Sequence, residues 1–147
     1  MLDIIIESRQ AELSAGLTVK RILPYRLKRM IGPFIFMDHG GPVNIPVAAA
    51  SSLDVLPHPH IGLSTVSYLF SGNVTHRDSL EDPAMLAGGE LEMIQTWVAL
   101  PEKDEESDPS FENYKPEQLP IFTDKGVWMR LIAGEAYGLK STVKTHS

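Results

Sequence analysis

The 147-residue sequence contains no cysteine. That absence removes disulfides, thiolate metal centres and cysteine nucleophiles together, and nothing points to an oxidising compartment. No apolar run is long enough to span a bilayer. The opening Met1-Leu2-Asp3-Ile4-Ile5-Ile6-Glu7 is not a signal peptide. No membrane association and a cytoplasmic location are therefore expected. Basic charge is in deficit, with 13 Lys and Arg against 19 Asp and Glu for a net charge of −6. Direct nucleic-acid binding, which needs a basic footprint on the phosphates, is not expected. Also missing are a phosphate-cradling glycine loop, a His-Glu-x-x-His pair, a serine nucleophile elbow and almost all helical periodicity.

What is present is an ordinary globular composition, 43% hydrophobic and 22% charged. The length suits one domain, which at this size buries about 68–70% of its unfolded surface without staples. Short β-rich runs recur every 8–15 residues between Gly/Pro turns. Strands are expected over 4–6, 19–23, 63–70, 74–78, 91–100 and 127–133. Pro33 demotes the start of 31–37 to an edge or bend. Asp38-His39-Gly40-Gly41-Pro42 reads as turn chemistry, and Ser71-Gly72-Asn73 as a hairpin turn between 63–70 and 74–78. Residues 102–120 read as a loop with one helical turn. This pattern means an all-β sandwich or barrel, with Trp97 and Trp128 in its core.

Charge is unevenly spread. Lys20, Arg21, Arg26, Lys28 and Arg29 fall within ten residues, and Glu102, Asp104, Glu105, Glu106 and Asp108 within seven. Such runs read as two solvated faces, or as a subunit contact in which one patch meets the other.

The chemistry-bearing stretch is Pro57-His58-Pro59-His60. Two prolines exclude a helix and hold His58 extended, and residues two apart on an extended chain share a face. Both imidazoles therefore point one way, which suits two nitrogen ligands on one metal and suits a surface loop equally. Two ligands fall short of a catalytic set. Zinc takes three protein ligands, and non-haem iron takes two histidines and a carboxylate. His39 reads as a structural hydrogen-bonder. His76 falls opposite Leu69 or Tyr68, according to whether the hairpin loop has two or three residues, and the two registers put it on opposite faces.

Several stretches together resemble the pirin family of the cupin superfamily: Arg21-Ile22-Leu23-Pro24, Met30-Ile31-Gly32-Pro33-Phe34-Ile35-Phe36-Met37-Asp38-His39, Leu56-Pro57-His58-Pro59-His60-Ile61-Gly62-Leu63-Ser64-Thr65-Val66, His76-Arg77-Asp78-Ser79-Leu80, Ile94-Gln95-Thr96-Trp97-Val98-Ala99-Leu100-Pro101 and Ile132-Ala133-Gly134-Glu135-Ala136-Tyr137-Gly138. The resemblance implies an N-terminal cupin domain, a double-stranded β-helix or jelly-roll barrel. It implies that His58 and His60 match the family's first two metal ligands. A histidine and a glutamate of a later His-Ser-Glu motif complete the iron site in typical members. The activities it implies are a quercetin 2,3-dioxygenase-like reaction and redox-responsive co-regulation.

The sequence departs from that pattern in two places. Leu80 runs through Glu81-Asp82-Pro83-Ala84-Met85 to Gly88-Gly89-Glu90-Leu91 without the His-Ser-Glu, so part of the second cupin motif is missing. The numbering ends at Ser147, where family members continue into a second cupin, so residues 1–147 are read as a single truncated domain. The expected metal site then retains His58 and His60, with weak or absent affinity for iron or another divalent transition metal. Glu81, Asp82, Glu90 and Glu92 are the substitute carboxylates to consider. The opened barrel invites pairing with a second copy. The resulting expectation is a non-catalytic, homodimeric binding or regulatory module that takes a small aromatic ligand or a regulatory protein. The alternative is a quercetin 2,3-dioxygenase-type enzyme whose site is rebuilt at a dimer interface.

Overall fold

The computed structural model describes residues 4–14, 17–50, 60–72, 74–75, 85–86 and 89–146. Two compact units are distinguishable, residues 1–109 and 110–147. No helix among the described residues is long and apolar enough to cross a membrane.

The first unit is built on a five-stranded antiparallel sheet. Its strands are β1 (Arg9–Ser14), β2 (Leu17–Leu23), β3 (Phe34–Ile45), β4 (Leu63–Ser71) and β7 (Gly89–Ala99), in the spatial order β1-β2-β3-β7-β4. The four-residue helix α1 (Val47–Ala50) follows β3. β5 (Val74–Thr75) and β6 (Met85–Leu86) form a separate pair.

Alternation along the strands makes one face of the sheet apolar at its far end. Val19, Gly40, Met93 and Leu69 lie directly across from one another on four strands. Leu17, Ile45, Leu91 and Met93 are its buried centre, with Leu13, Val43 and Leu69 packed around them. Burying such side chains contributes about 1.5–3 kcal/mol each.

Three expectations are corrected. Ile4 and Ile5 are exposed and lie outside any strand; the first strand begins at Arg9. Asp38 to Pro42 is not a turn but the interior of the 12-residue β3. Only the second glycine there is demanded by close approach. A Cβ on Gly40 would meet Met93 Cγ at 3.5 Å and Val19 Cγ1 at 3.6 Å. A Cβ on Gly41 would sit 2.2 Å from the Leu91 carbonyl oxygen. The register shifts between Gly40 and Val43, so this is a bulge within a continuing ladder. Finally, β4 pairs with β7 and β5 pairs with β6, so the expected hairpin between β4 and β5 does not form among the described residues. His76, whose register hung on that hairpin, lies outside them.

The second unit carries two hairpins. β8 (Ile121–Asp124) and β9 (Val127–Arg130) turn at Lys125-Gly126; β10 (Glu135–Ala136) and β11 (Leu139–Lys140) turn at Tyr137-Gly138. All four turn residues have positive φ, the signature of the tight turn whose twist matches paired strands. The Phe122 and Tyr137 rings link the hairpins at 5.0 Å. Glu112 accepts from Lys144 Nζ at 2.7 Å and from the Tyr114 hydroxyl, and these bonds hold its carboxyl below the usual range. Trp128, expected in the core, is 55% exposed with the Arg130 guanidinium 5.0 Å above its ring.

Gly41→Ala places a Cβ against backbone at φ +84°, where strain alone costs about 1–3 kcal/mol. The expected result is a loss of at least about 2 kcal/mol by urea unfolding.

Candidate functional site

Residues paired directly across an antiparallel sheet share a face. On the face that carries the apolar core, the next register row is polar: Arg21, Asp38, Gln95 and Ser67. The row beyond it is Phe36, Trp97 and Thr65. His60 stands just before β4, at this end of the sheet.

Asp38 is 2% exposed and takes two hydrogen bonds from Arg21: Nε donates to Oδ1 at 2.9 Å and Nη2 to Oδ2 at 2.8 Å. This fork-to-fork geometry is the strong form of an ion pair. The bonds to Asp38 push the guanidinium pKa up. Partial desolvation opposes them and the Asp38 charge adds to them, so the arginine stays charged. The same guanidinium lies 4.7 Å above the Phe36 ring. Phe36 stacks on Trp97 with centroids 4.3 Å apart and planes 19° from parallel. The His60 imidazole then meets Trp97 edge-on at 5.8 Å. One continuous line of contacts therefore runs from a buried carboxylate to the imidazole. Trp97 Nε1 is buried and has no hydrogen-bond partner among the described residues.

His58, the other histidine read from the sequence, lies outside the described residues, as do Glu81 and Asp82. Glu90 and Glu92 do not face His60's neighbour Trp97. β7 carries no bulge of its own in either ladder, so its odd residues, Trp97 included, share one face and its even residues the other. On that other face Glu92 Oε1 lies 3.0 Å from His39 Nε2. His39 is thus a structural hydrogen-bonder, as expected, but from within a strand. The Phe70 ring packs edge-on to His39 at 6.5 Å and to Tyr68 at 5.0 Å. Glu105 does approach the His60 end: its Cγ lies 3.8 Å from where a Cβ on Gly62 would stand.

Among the described residues no three His, Asp or Glu side chains converge as metal ligands. The described residues do not by themselves make a complete non-haem iron donor set. Sequence reasoning missed the polar row. Its signal was the spacing Phe36-x-Asp38 in an apolar strand, which places a carboxylate on the aromatic face, where burial demands a cationic partner.

This mostly β fold, with a histidine at the mouth of an aromatic-lined sheet face, defines a cupin-type domain. A crystal structure of quercetin 2,3-dioxygenase from Acinetobacter baumannii superposes with a TM-score of 0.85 at 34% identity, over 95% of this chain and 53% of that one. The chain belongs to the pirin family, whose profile matches residues 16–100. It is 40% identical to a pirin-like protein of Caulobacter vibrioides, over all of this chain and 60% of the relative. It is 27% identical to human pirin, over 95% of this chain and 53% of that protein. The chain therefore spans little more than half the length of these relatives.

Replacing Arg21 with Met leaves Asp38 buried and unpaired. The expected loss is about 3–5 kcal/mol by denaturant unfolding. Removing both charges in Arg21→Met/Asp38→Leu should recover most of it, and an equally large loss in the double variant would contradict this account.

Proposed function

We propose that this chain is an atypical pirin whose cupin-derived domain acts as a non-catalytic, homo-oligomeric binding or regulatory module in the cytoplasm. The observation that carries the reading is the placement of Glu92. The described carboxylates of β7 project from the face opposite Trp97, and Asp38, on the same face as Trp97, is held by Arg21. In this reading the metal site is His58 and His60, no described carboxylate of β3 or β7 completes it, and two imidazoles alone bind iron or another divalent transition metal weakly. The alignment to the Caulobacter relative supports this reading. It runs over 173 positions against 147 residues here, so the matched span of the relative contains residues with no counterpart in this chain. The half-buried Trp97 indole beside His60 suits a small aromatic ligand, and a regulatory protein is the alternative partner.

Self-association is supported by two features of the first unit. β4, nine residues long, ends the sheet, and a terminal strand is a template for pairing. Leu27, Met30, Ile31 and Ile61, all at the end of the sheet where β3 and β4 begin, are between 47% and 82% exposed, and exposed apolar side chains gathered in one region suit an interaction site.

A second reading is a quercetin 2,3-dioxygenase-type enzyme, favoured by the 34% identity to the Acinetobacter structure. In it, His58 and His60 hold the metal and a second copy's carboxylate or His76 completes the set. Elemental analysis of purified protein, with and without reconstitution, separates the two. The expected result is substoichiometric iron, nickel, copper and manganese, unchanged by His58→Ala, with no consumption of quercetin. One metal per chain, lost on His58→Ala together with quercetin turnover, would establish the second reading instead. Light scattering at micromolar concentration should give at least twice the 16.3 kDa chain mass.

A further inference from the structure

The loop from β2 to β3 and the segment leaving β7 emerge at one end of the sheet. β3 starts where β7 stops, because Phe34 pairs with Val98, and β4 starts there too, because Leu63 pairs with Ala99. At this end three kinds of surface lie side by side.

On the β2–β3 side, a groove of about 650 Å³ is lined by Arg9, Tyr25, Arg26, Arg29, Met30 and Ile35. None of its three arginines has an acidic partner among the described residues. On the β4 side, Glu102, Glu105, Glu106 and Asp108 are exposed and equally without cationic partners there. Leu100 N donates to Gly62 O at 3.0 Å, and Glu105 lies beside Gly62, which ties the start of this segment to the β4 flank. At the same end stand the exposed apolar side chains of Leu27, Met30, Ile31, Phe34 and Ile61, from 38% to 82% exposed. The loop itself is stiff: Tyr25 and Lys28 exchange two backbone hydrogen bonds, as do Ile31 and Phe34.

An apolar centre with a charged rim is the anatomy of a protein interface. The two rims are of opposite sign, and β3 and β4 are two strand spacings apart, about 10 Å. A two-fold axis through this end sets the basic flank of each copy against the acidic flank of the other, so both contacts form in one closed interface. We propose that a second copy of this chain docks here, with its acidic segment 102–108 in the arginine groove and the reciprocal contact made at the same time. This inference rests on the self-association proposed above and names its surface.

The test uses the full chain and two exposed double variants, R26E/R29E and E105K/E106K, each checked for an unchanged circular dichroism spectrum. Sedimentation equilibrium at low and high salt should show a wild-type dimer whose dissociation constant rises at least tenfold in 0.5 M salt. Each variant alone should be monomeric at concentrations where the wild type is dimeric. Mixing the two should restore a dimer, because the first variant's intact acidic segment then meets the second variant's intact arginine groove, while the altered groove faces a segment that is no longer acidic. A wild-type dimer that neither variant weakens, but that Val66→Pro in β4 abolishes, would overturn this surface and leave self-association standing. Failure of the mixture to recover would also overturn it. A wild type that stays monomeric at all concentrations would remove the self-association itself.

Discussion

The strict alternation of side chains along β7 governs what this sheet can do. β7 lies between β3 and β4 and bends without inserting a residue of its own, so its odd and even positions keep separate company from end to end. Met93, Gln95 and Trp97 share a face with Asp38, Phe36 and Thr65. Glu92 and Ile94 share the other with His39. A polar group on one side cannot be lent to the other without slipping the whole register, which would expose the core. The bulges are placed in β3 and β4 instead, at Phe34 to Phe36, Gly40 to Val43 and Leu69 to Ser71. They adjust the flanking strands and leave the central partition intact.

The aromatic row and the ion pair beneath it form a single mechanical unit. A carboxylate with 2% exposure tolerates its burial because a planar, permanently charged guanidinium meets both oxygens. The same guanidinium is flat enough to lie on Phe36, which stacks on Trp97, which meets His60. Lysine in place of arginine would keep the charge and lose the fork and the stacking. The imidazole thus ends a line of contacts that begins on β2, three strands from β4.

Much of this was legible from the residues. The β-branched runs of β2, β4 and β7 announce themselves, and of the Pro-His-Pro-His stretch the described His60 stands just before β4, against Trp97. Glycine and proline misled where they served packing. Gly40 and Gly41 look like a turn in the sequence, but they lie inside β3, where Gly41 lets the strand pass close to β7. The isoleucines at 4–6 have high strand propensity and no ladder partner among the described residues, and propensity without a partner does not make a strand. The pairing of Glu92 with His39 was hidden because it depends on register between strands 53 residues apart, which no local pattern encodes.

The two tryptophans occupy contrasting environments. Trp97 is sandwiched in the first unit against Phe36, while Trp128 stands largely in water in the second. Indole emission moves to shorter wavelength as its surroundings become less polar. The blue side of the fluorescence band therefore originates in one unit and the red side in the other, and a single spectrum followed through unfolding resolves whether the two melt together.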